Sequence, residues 1–193
     1  MKRVLFFTNQ DLTGSSTGFR HFPLARELVK RGYQVKVLAL HHDLENADQI
    51  SFTRDGVQFR YVGQMHVKKV QGKKFDFTAK QLVRVVLSST ARMVVAGLMS
   101  EADVIYLCKP QPVNGTAAIL SRFVRRTPLV LDCDDYDAVS SNFKNQVQQG
   151  AFALFEDHTP RLARCVTVNT LFLQERNAEL GVPREKIFYL PNG

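Results

Sequence analysis

Cysteine is scarce in this chain of 193 residues, and the three present, Cys108, Cys133 and Cys165, lie far apart. None forms a Cys-x-x-Cys pair or has a histidine at ligand spacing, which excludes a disulfide framework and argues against a zinc site. An odd count in apolar strand contexts reads as reduced, buried thiols of a cytosolic protein. Long apolar runs are missing too. The run at the amino terminus, Val4 to Phe7, is four residues long, too short for a signal peptide. No stretch approaches the ~20 apolar residues of a spanning helix. The expectation is a soluble protein, cytoplasmic and at most peripheral on the inner face of a membrane. Absent as well are internal repeats, low-complexity tracts, the GxSxG nucleophile elbow, the GxGxxG dinucleotide loop and the GxxxxGK[ST] phosphate loop.

Acidic residues are outnumbered, 18 against 26 Lys and Arg, for a net charge of +8. Such an excess favours anionic partners such as nucleic acid, acidic lipid or phosphorylated small molecules. The basic residues crowd at His66, Lys68, Lys69, Lys73 and Lys74, followed by Arg84 and Arg92. A solvated loop and helix face is the bland reading, and an anionic membrane surface over 66–92 the functional one. Nucleic-acid binding is not expected, because the stretch lacks interleaved aromatics and a known motif.

What is present is alternation. Val4 to Phe7 is a strand buried on both faces, followed by a polar loop with Gly14, Ser15, Ser16, Thr17 and Gly18. Pro23 suits a first helical turn, Gly32 ends the helix, and Val35 to Leu40 begins a second buried strand. Further strands are expected at 57–62, 103–108, 129–134, 165–169 and 187–190. Helices are expected at 77–99, 114–126, 142–164 with a joint at Pro160, and 171–180, with a short one over 44–50. Strands alternating with helices predict an α/β fold, a Rossmann-like doubly wound parallel sheet forming one domain over 1–193. Ligands bind at the carboxyl ends of such strands, so the loop after the first strand is the first candidate site. Its backbone amides suit a phosphate or a sugar hydroxyl, with Arg20 and His21 adding charge.

Asp132, Asp134, Asp135 and Asp137 place four carboxylates within six residues at a strand's end. Carboxylates so close repel one another unless something cationic or hydroxylic separates them. The candidates are a sugar's hydroxyls, Lys109, or Mg²⁺, and no fixed ligand spacing supports the metal. His158 reads as a surface histidine, and His41-His42 carries no information.

The closing segment runs Cys165-Val166-Thr167-Val168-Asn169, then Gly181-Val182-Pro183-Arg184-Glu185-Lys186-Ile187, then Leu190-Pro191-Asn192-Gly193. It resembles the end of the N-terminal domain of a GT-B fold, family 4 glycosyltransferase. The small-residue loop after strand one, the Leu-x-x-Arg-Gly helix end and the aspartate-rich end of a middle strand agree with that resemblance. Two positions depart from it. Many relatives carry His-Asp near Cys133 to Asp135, so no histidine role transfers, and Asn169 stands where serine is usual. The resemblance implies the acceptor-side half of a retaining, metal-independent enzyme without a cofactor. The missing C-terminal domain would hold most of the nucleotide-sugar donor, so this chain alone is expected to be inactive. Asp134 and Asp135 are the implied catalytic groups. The implied substrate-binding residues are Gly14, Ser15, Ser16, Thr17, Gly18, Arg20, His21, Lys109, Asp132, Tyr136 and Asn169. The partners are a nucleotide-sugar donor and a sugar or lipid-linked acceptor, in polysaccharide or glycoconjugate synthesis. A free-standing Rossmann-like binding module and half of a GT-B sugar-nucleotide epimerase are the alternatives.

Overall fold

The computed structural model describes residues 1–70, 73–140, 143 and 146–192. Its strands are β1 (Arg3–Phe7), β2 (Gln34–His41), β3 (Ser51–Arg54), β4 (Val57–Gln64), β5 (Lys68–Val70), β6 (Lys73–Phe75), β7 (Val104–Cys108), β8 (Leu129–Cys133), β9 (Cys165–Val168) and β10 (Ile187–Tyr189). Its helices are α1 (Phe22–Lys30), α2 (Ala79–Met99), α3 (Pro112–Arg125), α4 (Asp137–Ser140), α5 (Gln146–Leu162) and α6 (Leu171–Glu179). Eight strands form one sheet in the order β10-β9-β8-β7-β1-β2-β4-β3, while β5 and β6 pair as a separate hairpin. Every pairing in the large sheet is parallel except β3 with β4.

The period-2 alternation of side chains explains the two faces. Leu5 and Phe7 of β1 point one way, into a core with Leu38, Leu107, Met93 of α2 and Ala118 of α3. Val4 and Phe6 point the other way, onto Val35, Val37, Tyr106 and Ala25 of α1. On the first face α2 lies close against β1 and α3 because Gly97 has no side chain. A Cβ there would sit 2.7 Å from both Phe7 Cζ and Ser121 Oγ. The sheet grows outward in both directions from β1, so its strand order reverses between β1 and β7. In doubly wound sheets the crevice at such a reversal is where ligands bind.

Several expectations change. The short helix over 44–50 is a single 3₁₀ turn, Leu44–Asn46, and the chain then forms β3 as an antiparallel edge strand. Asp55 and Gly56 both take positive φ, 48° and 79°, as a two-residue hairpin of the mirror-image type requires. The basic loop contains the hairpin β5–β6, although its 71–72 lie outside the described residues. The helix expected over 142–164 is α5, with 142, 144 and 145 outside the described residues and a separate turn α4 before it. Pro160 makes no joint: it sits in the last turn of α5, which ends two residues later. The expectation that no stretch is long and apolar enough to span a membrane is also corrected. By length and composition, α2 is such a helix. Here it packs on the sheet through Ser89, Met93, Ala96 and Gly97, leaving Val83, Leu87, Val95 and Met99 exposed.

Candidate functional site

The carboxyl ends of β1, β7, β8 and β9 converge on one polar cluster. After Cys108 the chain reverses at Lys109, whose φ of 52° is unusual for a residue with a side chain. Asn114, fully buried in the first turn of α3, fixes that reversal by donating to the carbonyls of Cys108 (2.7 Å) and Lys109 (2.8 Å). The Lys109 amide donates to Asp132 O at 3.0 Å. The ammonium is thereby aimed among three carboxylates: Asp135 Oδ2 at 2.5 Å, Asp137 Oδ1 at 3.7 Å and Asp134 Oδ2 at 3.8 Å. Lys109 is therefore the cation that the aspartate run requires. Burial would lower the pKa of the ammonium, but the carboxylates around it, Asp137 foremost, reverse that and raise it.

Asp134 and Asp137 are buried, and each is also held by an amide. Asn169 Nδ2 donates to Asp134 at 2.8 Å, and Gln111 Nε2 donates to Asp137 at 2.6 Å. Gln111 in turn accepts from Asn9, tying the loop after β1 to the loop after β7 across the reversal point. Asp135 alone of the four aspartates keeps a half-exposed carboxylate, 54% accessible. It is the group best placed to accept a hydroxyl proton from a ligand over the sheet edge. Next to Lys109, Gln111 and Asp137 lies a cavity of about 300 Å³ that Asn9 and His66 also line.

Of the residues expected to touch ligand, Asp132, Arg20 and His21 are bonded to one another, and a fourth, Tyr136, is covered by Arg176. Asp132 is fully buried and accepts two parallel bonds from Arg20, Nε at 2.8 Å and a terminal nitrogen at 2.7 Å. Thr167 donates to it at 2.6 Å, and His21 Nε2 lies 3.1 Å away. Burial alone would raise the Asp132 carboxyl pKa, yet the bonds and charges of Arg20 and His21 hold it well below the usual range. Arg20 goes on to Leu190 O (2.9 Å) and Asn192 Oδ1 (2.7 Å), fastening the end of the chain to the start of α1. This is a packing hub, because no lone pair of Asp132 faces solvent. Tyr136 is the fourth: the Arg176 guanidinium covers its ring at 3.7 Å, and Arg176 pairs with Asp157 at 2.5 Å.

The glycine loop is shorter than expected. Helical structure starts at Ser15, and Thr17–His21 forms a π turn that runs into α1. Ser16 and Thr17 are buried, with Thr17 Oγ1 2.8 Å from Thr8 Oγ1. Gly14 and Gly18 are favoured by close approach, since a Cβ would meet Gln10 Cβ at 2.8 Å or Leu12 O at 2.9 Å. Ser15 is exposed, and Phe19 projects into solvent at 88% exposure. Asp11, His41 and His42 also lie together, with ligand-capable atoms within 4.8 Å. Their own bonds account for the arrangement. Asp11 accepts from His42 Nδ1 (2.5 Å) and Thr13, while His41 Nδ1 accepts from Asp43 N (3.0 Å). His158 is exposed, as expected.

Asn9, Gln111, Asn114 and Thr167 escaped sequence reading although the site depends on them. The one available signal was Lys109-Pro110-Gln111-Pro112, a polar pair punctuated by prolines between a strand and a helix. Glu156 was also missed. It lies buried under the aspartate loop and accepts from the amides of Asp137 (2.7 Å) and Ala138 (2.9 Å). Burial pushes its carboxyl up to about 7, with Asp137 and Asp157 adding to the rise. A folded pKa above the unfolded value of ~4.3 means that the folded state binds the extra proton. Stability should therefore fall as pH rises through about 4.5 to 7. In Glu156→Gln this component of the melting-temperature profile should vanish, measured between pH 5 and 8. A wild-type slope unchanged in the variant would assign the pH dependence elsewhere.

The Glycosyl transferase 4-like domain family matches residues 14–193. No curated protein sequence matches the chain. Among solved structures, sucrose-phosphate synthase from Thermosynechococcus elongatus superposes with a TM-score of 0.62 at 10% identity, over 99% of this chain and 48% of its own. UDP-GlcNAc 2-epimerase from Neisseria meningitidis bound to UDP-GlcNAc gives 0.61 at 14%, over 100% of this chain and 46% of its own. Anabaena Alr3699/HepE in complex with UDP-glucose gives 0.54 at 16%, over 98% and 44%. This chain spans about half the length of these proteins, and its fold is a Rossmann-like half of the GT-B type. The chain belongs to the glycosyl transferase 4-like domain family.

Proposed function

From that membership, we propose that these residues form the acceptor-side half of a retaining glycosyltransferase that moves a sugar from a nucleotide-sugar donor to an acceptor. A second domain would close over the carboxyl edge of the sheet and hold the nucleotide. The observation that carries the reading is the Lys109–aspartate cluster at the strand-order reversal, where one carboxylate, Asp135, stays open to solvent. Asp135 binds the acceptor hydroxyl, and Asp134, aimed by Asn169, supports the same ligand. Exposed Ser15 and the first helical turn lie across the reversal and meet the donor on closure. A role in polysaccharide or glycoconjugate synthesis follows the family resemblance. The net positive charge suits work at the cytoplasmic face of an anionic membrane.

The test is transfer from a panel of nucleotide sugars by the full-length protein. Asp135→Asn should lower kcat/KM about tenfold or more, the scale of one lost positioned hydrogen bond to a charged group, with only a small fall in melting temperature because Asp134 and Asp137 still face the Lys109 ammonium. Residues 1–193 alone should show no transfer. Activity in that fragment, or a fully active Asp135→Asn, would defeat the reading. The epimerases among the structural neighbours favour one second reading, half of a sugar-nucleotide epimerase. Interconversion of UDP-sugars with no acceptor added would select it.

A further inference from the structure

A second cavity of about 380 Å³ opens beside the site. Leu82 and Val86 of α2, Val113 of α3, and Ala151 and Phe152 of α5 line it. Asn9, His66, Leu82, Gln111, Gln148 and Phe152 line both this groove and the cavity beside Lys109, so the two spaces adjoin. The polar groups on the wall are largely spent. Gln111 is bonded to Asn9 and Asp137, Gln64 donates to His42 O and accepts from Leu44 N, and burial pushes the His66 imidazole toward its neutral form. A sugar in such a groove would find few partners, whereas an alkyl chain needs none.

A basic hairpin stands beside the groove, and its lysines line neither cavity. Pocket residues Val67, Asp76 and Phe77 flank the hairpin β5–β6, which carries Lys69, Lys73 and Lys74. Lys68 is paired with Asp43 and Glu45, but Lys69, Lys73, Lys74, Lys80 and Arg84 have no ion pair among the described residues. Outside the groove, α2 continues into solvent with exposed Val83 and Leu87.

We propose that the groove between α2 and α5 holds the apolar chain of a lipid-phosphate acceptor, whose phosphate meets the lysines of the hairpin and whose sugar or hydroxyl head reaches Asp135. The inference rests on the transferase reading for the direction of the head, and on the groove alone for the chain. At the ~30 Å³ share of one water-sized group, the cavity holds about twelve carbons. Each methylene taken out of water strengthens binding about fourfold.

The experiment titrates the protein by calorimetry with dodecyl phosphate below its micelle concentration, with octyl phosphate and inorganic phosphate as controls. Saturable one-to-one binding is expected, at least tenfold tighter for dodecyl than for octyl phosphate and undetectable for inorganic phosphate. Ala151→Phe, which fills the groove, and Val86→Asp, which charges a half-buried wall, should each weaken dodecyl phosphate at least tenfold with little change in melting temperature. Equal affinities for the two chains, or binding indifferent to both variants, would overturn the inference. So would binding only to phosphatidylglycerol vesicles and not to the monomer, which would assign the basic hairpin to a membrane surface instead. Chain binding in a protein that transfers no sugar would leave the groove standing and remove the transferase reading. Transfer to a chain-free acceptor with no amphiphile binding would do the reverse.

Discussion

Replacing Arg20 by methionine should cost about 3–5 kcal/mol of folding stability, because it leaves a fully buried carboxylate without its charged partner. Asp132 would keep only Thr167 and His21, and the chain end would lose the bonds from Arg20 to Leu190 O and Asn192. For a domain of this size the loss corresponds to a fall in melting temperature of roughly 10 °C. Exposed pairs are worth about 1 kcal/mol or less, so a surface control such as Arg184→Ala, which breaks the exposed Arg184–Glu175 pair, should change little. Asp132→Asn should be comparably damaging. The double variant Arg20→Met/Asp132→Leu should recover part of the loss, because it removes both buried charges together.

The pH dependence carries the same signature. The Asp132 carboxyl is held below its unfolded value, so its contribution is fully present above about pH 4 and is lost as pH falls through the folded pKa. In Arg20→Met that downward hold is gone. The gap between wild type and variant in urea unfolding should therefore be widest at pH 7 and narrow below about pH 4. A constant gap across that range would mean that Arg20 acts through packing and not through its charge.

The parallel sheet was legible because each buried strand announced itself as an apolar run: Val4 to Phe7, Val35 to Leu40, Val104 to Cys108 and Leu129 to Leu131 all lie where expected. The edge was not. β3 has only one partly buried residue, Phe52, and its pattern is set by pairing with β4 instead of by a core, so periodicity had little to detect. The Asp55-Gly56 turn was the available clue. At the site, sequence identified the residue types and not their contacts with one another. A run of aspartates and a nearby lysine were visible. Which carboxylate faces inward depends on Arg20, Thr167 and Lys109, which come from three other segments, and spacing does not encode those contacts. Side-chain alternation along a strand predicts one side for Asp132 and Asp134, yet their surroundings differ: one is closed by a guanidinium, the other bounds the Lys109 cluster.

Lys109→Asn is the sharpest test of that cluster. Asparagine tolerates the left-handed backbone that Lys109 adopts, so the substitution removes the charge while sparing the turn. Asp134 would then keep the Asn169 amide and the Arg20 guanidinium at 4.0 Å, and Asp137 only the Gln111 amide, with Asp135 beside them. About 3 kcal/mol should be lost at pH 7, the low end of the range for a broken buried pair, since Asp135 can turn to water. The pH response should run in the same direction as in Arg20→Met, with the deficit shrinking as pH falls. Without the ammonium the crowded carboxylates repel one another and acid relieves that repulsion, so the variant should regain stability as pH falls from 7 toward 5. Adding Asp134→Asn should restore much of the loss at pH 7 and flatten that recovery. If Lys109→Asn instead loses the same stability at pH 5 and pH 7, the ammonium holds the loop by its hydrogen bonds alone. The aspartates would then not form one electrostatic unit.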